Sequence, residues 1–154
     1  MPAPVAILDF EPEHQPAFRA LNHEWISRHF VLEEPDHQML DDPQTYILAS
    51  GGHILMASHE GKLVGTCALI KEHDGVYELA KMAVALQAQG LGIGWALGQS
   101  ILCKARQLGA HRVELVSSSK LAPALALYKK LGFQPAPPAP TPYVRGDVRM
   151  VLEL

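Results

Sequence analysis

The chain has 154 residues, 48% hydrophobic and 19% charged, with a formal net charge of −3. This size and composition predict one globular domain, residues 1–154, whose core needs neither disulfides nor a metal. The negative balance argues against a nucleic-acid binder, which needs clustered Lys and Arg, and no apolar run approaches the thickness of a bilayer.

Residues 5–8 form a short apolar run and predict the first strand. The opening MPAPVAILDF has no positive segment followed by a long apolar one, so it reads as cytoplasmic chain rather than a secretory leader. Pro12 and Pro16 then punctuate the entry to a helix. Phe18, Leu21, Trp25, Ile26 and His29 recur at intervals of three and four, and the pattern ends near Phe30. Residues 31–44 carry Pro35, Pro43 and the acids Glu33, Glu34, Asp36, Asp41 and Asp42. They predict a loop, followed by a short helix at DPQTYIL that Asp42 caps and Pro43 opens.

Gly51 and Gly52 break the chain before three strands, at 53–59, 62–71 and 76–84. Glu60-Gly61 and His73-Asp74-Gly75 supply the turns, so these strands should form an antiparallel meander. A glycine-rich turn follows, ALQAQGLGIG, and opens a helix with Ile93, Leu97, Ile101, Ala105 and Leu108 on one stripe. Gly109 is placed as its stop. Residues 112–117 read as a strand. A helix should run from about Ala122, with Ala124, Leu127, Tyr128 and Leu131 on one face, and end at Gly132. The proline-rich stretch 135–142 is a rigid loop before a terminal strand at 143–154.

Chemistry concentrates at the glycine turn. Gly90, Gly92 and Gly94 stand where a strand ends and a helix begins, so the main chain there can approach a ligand closely. The unpaired N–H groups of a helix N-terminus favour an anion. A dinucleotide fingerprint fits poorly, because Trp95 or Leu97 occupies the place of its third glycine, although Glu114 stands where a ribose-binding acid is expected. A Walker-type loop lacks its Gly-Lys-Ser/Thr.

A third reading fits three segments in register. Gln89-x-x-Gly92-x-Gly94 resembles the acyl-CoA motif of the GNAT superfamily of N-acyltransferases. ELAKMAV, residues 78–84, is similar to that family's fourth strand, and ALALYKKLGF, residues 124–133, to its C-terminal A-x-x-L-Y-x-x-L-G-F block. The family often has Asn seven residues before the tyrosine. Here Leu121 stands there, with Ser118, Ser119 and Lys120 as nearby polar substitutes.

The resemblance implies a mixed, mostly antiparallel twisted sheet flanked by helices, splayed near Val84 to admit the cofactor. It implies acetyl-CoA as co-substrate, contacted by Met82, Ala83, Val84, Gln89, Gly90, Leu91, Gly92, Ile93, Gly94 and Ser119, with no metal. A small-molecule or peptide amine is the implied acceptor, with no nucleic acid or membrane partner and a homodimer left open. An amine attacks a thioester only when neutral, so a base must take its proton. Glu78 is that base, a bulge at residues 82–84 supplies the oxyanion donor, and Tyr128 is the acid for the departing thiolate. A CoA-binding regulatory module without turnover and a nucleotide-binding oxidoreductase are the rival readings.

Three further expectations concern residues around this constellation. Cys67, mid-strand with no His at telling distance, should be structural rather than nucleophilic, and Cys103 shows no ligand spacing with it. The eight histidines show no metal-ligand spacing. The acids of residues 33–42 should recruit a cationic amine, with Trp25 and Phe30 lining its pocket.

Overall fold

The computed structural model describes residues 4–154. Among these, one sheet contains β1 (Val5–Asp9), β2 (His53–His59), β3 (Lys62–His73), β4 (Val76–Val84), β5 (Arg112–Ser117), β6 (Gln134–Ala136) and β7 (Val148–Glu153). Their order is β1-β2-β3-β4-β5-β7-β6. All neighbours are antiparallel except β4 and β5. A parallel pair needs a long crossover, and helix α3 (Ile93–Gln107) provides it. The other helices are α1 (Gln15–His29), α2 (Glu34–Asp41) and α4 (Ala122–Leu131). No helix among the described residues is long and apolar enough to cross a membrane.

The sheet lies between two helical layers. Consecutive residues from Val64 to Leu69 in β3 are buried, so both faces of that strand are covered. Helix α3 covers one face: Ile93, Leu97, Ile101 and Ala105 are all 1% exposed or less, and Ile93 and Leu97 lie against Gly65. Helix α1 covers the other, bringing Phe18, Leu21 and Ile26 onto β3 and β4. The predicted α3 stripe stops one residue short. Leu108 is the cap residue and turns outward to solvent.

Three segments differ from the sequence reading. Residues 34–41 form α2 rather than a loop: Pro35 sits in its first turn, where no N–H is needed, and Glu33 and Asp36 form a capping box. The prolines after Phe133 do not prevent a short strand, because β6 is the sheet's edge and a missing donor is tolerated there. The terminal strand begins at Val148, since residues 143–146 fold across the molecule instead. Asp42 does act as the expected cap, its Oδ1 accepting from the Thr45 N–H at 3.1 Å.

Gly52 is required by close approach. A Cβ there would lie 2.3 Å from the Leu69 carbonyl oxygen and 2.6 Å from that of Ile47, both main-chain atoms that cannot swing away. Gly52→Ala is expected to cost about 2–3 kcal/mol, as overpacking does. The melting midpoint should fall by roughly 5–10 °C, and a midpoint within a degree of the parent protein's would refute the close approach.

Candidate active site

The site begins where the sheet opens. β4 and β5 are paired only at Val76–Arg112, Tyr77–Val113 and Glu78–Glu114. From Leu79 onward the two strands part, so the opening starts well before Val84, and β4 loses its ladder partner on the β5 side.

A bulge follows on the other edge of β4. Ala80 pairs with Ala68 and Ala83 with Thr66, so Lys81 and Met82 together face Cys67. Lys81 takes φ 54°, a left-handed conformation that residues with a Cβ rarely adopt. The bulge therefore lies at Lys81–Met82 rather than at residues 82–84. In a regular strand residues three apart project to opposite faces. With the bulge, Lys81 reaches Asp36 in α2, while Glu78 lines a cleft with Asn22 and Ile26 of α1. Both side chains thus serve the same side of the sheet.

That cleft measures about 820 Å³, counting its open mouth. Glu78, Lys81 and Arg145 are its charged walls; Trp25, Phe30, Met82, Leu121, Tyr128 and Tyr143 supply much of the rest. Burial raises the Glu78 carboxyl above its ordinary value; Lys81 opposes this and Glu114 adds to it. Burial also pushes the Tyr128 phenol up to about 12, with Cys67 adding to the shift. Tyr128 is therefore protonated throughout the neutral range. Its ring stands edge-on to Phe133, 6.2 Å between centroids, and lines the cleft. Cys67 is fully buried and its thiol is pushed up by burial, so it offers no thiolate.

A second groove, about 1280 Å³ including open solvent, continues from the first through the shared residues Trp25, Met82, Leu121 and Tyr128. Val84, Gln89, Gly90, Gly92, Ile93 and Gly94 line its far part, at the α3 N-terminus. Gly90 and Gly92 have φ 83° and 78°, and a Cβ on either would meet nothing within 4 Å: the main chain there faces open space. Gly92 is the α3 cap residue and brings no side-chain hydrogen bond to the helix. The first N–H groups of α3 are left for a ligand, and the positive end of its dipole favours an anion.

Three predicted contacts fall elsewhere. Ala83 is fully buried in the core and Leu91 is outside the groove, 46% exposed. Ser119 is tied by its N–H and its Oγ to Asp147, at 2.8 and 2.6 Å, and does not face the groove. Lys120 and Leu121 line it instead. Glu114, the acid of the dinucleotide alternative, is also remote from the glycine turn. It is ion-paired with Arg149 and lies 3.9 Å from Arg112.

The acids of residues 33–42 are not presented to the cleft. Asp36 is fully buried and accepts from Lys81 Nζ at 2.6 Å and from Arg145 at 2.7 and 2.8 Å. Burial alone would raise its carboxyl, but these two cations hold it at about 2. Glu33 meets Arg145 at 3.1 Å and accepts from the Val144 N–H. Lys81, Tyr143 and Arg145 are thus site residues that sequence reading missed. Lys81 lay inside the recognised ELAKMAV segment, and its charge in a buried strand was the available signal. Trp25 and Phe30 do line the cleft, as expected. Among the described residues no group of three or more His, Cys, Asp or Glu is placed to hold a metal.

Comparison with known proteins agrees with this geometry. The profile described as the Acetyltransferase (GNAT) family matches residues 14–133. N-acetyltransferase family 8 member 3 of Rattus norvegicus is 33% identical over 101 residues, 62% of this chain and 44% of that protein. The chain spans about half the length of the first curated relatives it matches. A GNAT-family acetyltransferase of Staphylococcus aureus superposes with a TM-score of 0.86 at 18% identity, covering 97% of this chain and 99% of that one. A Salmonella typhimurium protein described as a putative acetyltransferase, solved with acetyl-CoA, superposes at 0.78 with 20% identity, covering 98% and 94%.

Proposed function

The chain belongs to the acetyltransferase (GNAT) family, and on that premise we propose that it transfers an acetyl group from acetyl-CoA to a primary amine by direct attack on the thioester. One observation carries the reading. A continuous groove joins the anion-favouring α3 N-terminus to the cleft that holds Glu78, with Tyr128 at the junction. The pyrophosphate lies on Gly90–Gly94, and the acyl arm runs along the β4 edge that β5 leaves free.

Each residue then has a definite task. Glu78 accepts the proton of the attacking ammonium, and its raised carboxyl makes it a stronger acceptor than a solvated glutamate. Main chain freed by the Lys81–Met82 bulge offers an N–H to the carbonyl oxygen as it becomes an oxyanion. Tyr128 supports the departing sulfur. Its phenol at about 12 lies roughly 3.5 pH units above a thiol at ~8.5, so complete transfer of its proton is uphill. Its contribution is a hydrogen bond to the thiolate.

Thermal shift with acetyl-CoA, beside NAD, is the first test. A ligand at a hundred times its dissociation constant adds about 2.7 kcal/mol, a rise of roughly 5–10 °C for a chain of this size. Thiol release with an amine panel then separates an enzyme from a binding module. Gly92→Val strains a residue at φ 78° and projects methyls toward the ligand's phosphates. The variant should stay folded and bind acetyl-CoA at least ~10-fold more weakly, about 1.4 kcal/mol. Unchanged affinity in folded protein places the phosphates elsewhere.

A further inference from the structure

The charges that face the cleft differ from those that surround it. Only Glu78, Lys81 and Arg145 are charged among its lining residues. The carboxylates that neutralise the two cations stand behind them: Asp36 is fully buried, and Glu33 lines a separate hollow beside Val31 and Val144. An entering molecule therefore meets one carboxylate and two cations.

The cations also keep donors in reserve. An ammonium has three N–H bonds, and Lys81 gives two of them, to Asp36 and to the Tyr143 hydroxyl at 2.9 Å. A guanidinium has five, and Arg145 gives three, one to Glu33 and two to Asp36. Glu78 is not an ion-pair partner of either. The Lys81 side chain is 5% exposed, so its spare N–H has little access to bulk water, and that of Arg145 is 18% exposed, which leaves part of its guanidinium edge open to an entering group. Buried donors seek an acceptor. Arg145 is also held in orientation, its guanidinium 4.5 Å from the Tyr143 ring centre.

Resting on the acetyl-transfer reading, we propose that the acceptor is an amino acid or a similarly small zwitterion: its amine meets Glu78, and its carboxylate takes the spare N–H groups of Lys81 and Arg145. A polyamine fits poorly, because its second ammonium would face the two cations. The amine of a peptide chain places a neutral amide where the carboxylate belongs.

The test compares acceptors in the unaltered protein. Thiol release from acetyl-CoA is measured with the common amino acids, their carboxamides and the matching decarboxylated amines. The best amino acid should exceed its amide and its decarboxylated partner roughly 10–100-fold in kcat/KM, the range for a hydrogen bond to a charged group. Arg145→Lys keeps the charge but not the fork. It should raise the amino acid's KM about tenfold or more and narrow the amino acid's advantage over its amide in kcat/KM by a similar factor. Turnover of amides or decarboxylated amines equal to or above that of every amino acid overturns the proposal while leaving acetyl transfer intact. Acetyl-CoA binding with no amino acid accepted overturns it as well, whatever other amine reacts. Absence of an acetyl-CoA thermal shift overturns the transferase reading and this proposal together. If Arg145→Lys does not fold, the acceptor comparison decides alone.

Discussion

Glu78→Gln is expected to lower turnover by roughly 10²–10⁴-fold near neutral pH, the range for losing a general base, when chemistry limits the rate. The amide keeps the shape and cannot accept the proton. The loss should shrink with rising pH, because an alkyl amine with a pKa near ~10 then arrives neutral more often. In the parent enzyme the rate should fall with acid through a carboxyl value above the ordinary 4.5, since burial favours the neutral form of Glu78. Stability should move the other way. A carboxyl raised in the fold withdraws stability as pH climbs above its unfolded value, so Glu78→Gln should not lower the melting midpoint at pH 7. Tyr128→Phe should cost less and show no relief at high pH, because a thiolate leaves tolerably without help. The assay is thiol release from pH 6 to 10, with both substrates' binding measured separately. Parent-level turnover of Glu78→Gln at pH 7 removes the base role.

What the sequence disclosed about this site was local, and what it concealed was distant. The glycine turn was legible because Gly90, Gly92 and the α3 stripe are contiguous in sequence, and the structure gives both glycines positive φ at the helix N-terminus. Glu78 and Tyr128 were legible through short segments read in register, and they meet in one cleft. The acidic run was misread because composition suggested a solvated loop. Pairing Asp36 with Lys81 spans 45 residues, and with Arg145 it spans 109. No periodicity encodes such contacts. The bulge was concealed for a related reason. ELAKMAV places Glu78 and Lys81 three apart rather than two, but only the pairing with Thr66 and Ala68 locates the extra residue. One added residue decides which face Lys81 serves.

The buried ion cluster sets the second large effect. Asp36→Asn preserves shape and still accepts the Glu33 N–H within the α2 capping box, a 2.8 Å bond. It removes the charge that Lys81 and Arg145 share. Breaking a buried pair from one side costs about 3–5 kcal/mol, because an uncompensated charge stays in a poor solvent. For a chain of this size the midpoint should fall by roughly 10 °C or more. Lys81, whose ammonium burial already disfavours and Asp36 sustains, should lose its proton more readily in the variant. The parent protein's pH dependence follows from the same carboxyl. Asp36 is held at about 2 against an ordinary 3.8, a difference of about 2 kcal/mol by linkage. This stability is fully present above pH 4 and is lost as pH falls through 2. Asp36→Asn removes that acid-dependent component, so its midpoint should change less between pH 5 and pH 2 than the parent's. Denaturant melts at both pH values measure it. Equal acid sensitivity in the two proteins, or a midpoint unchanged at pH 7, would show that Lys81 and Arg145 do not depend on Asp36 for their charge.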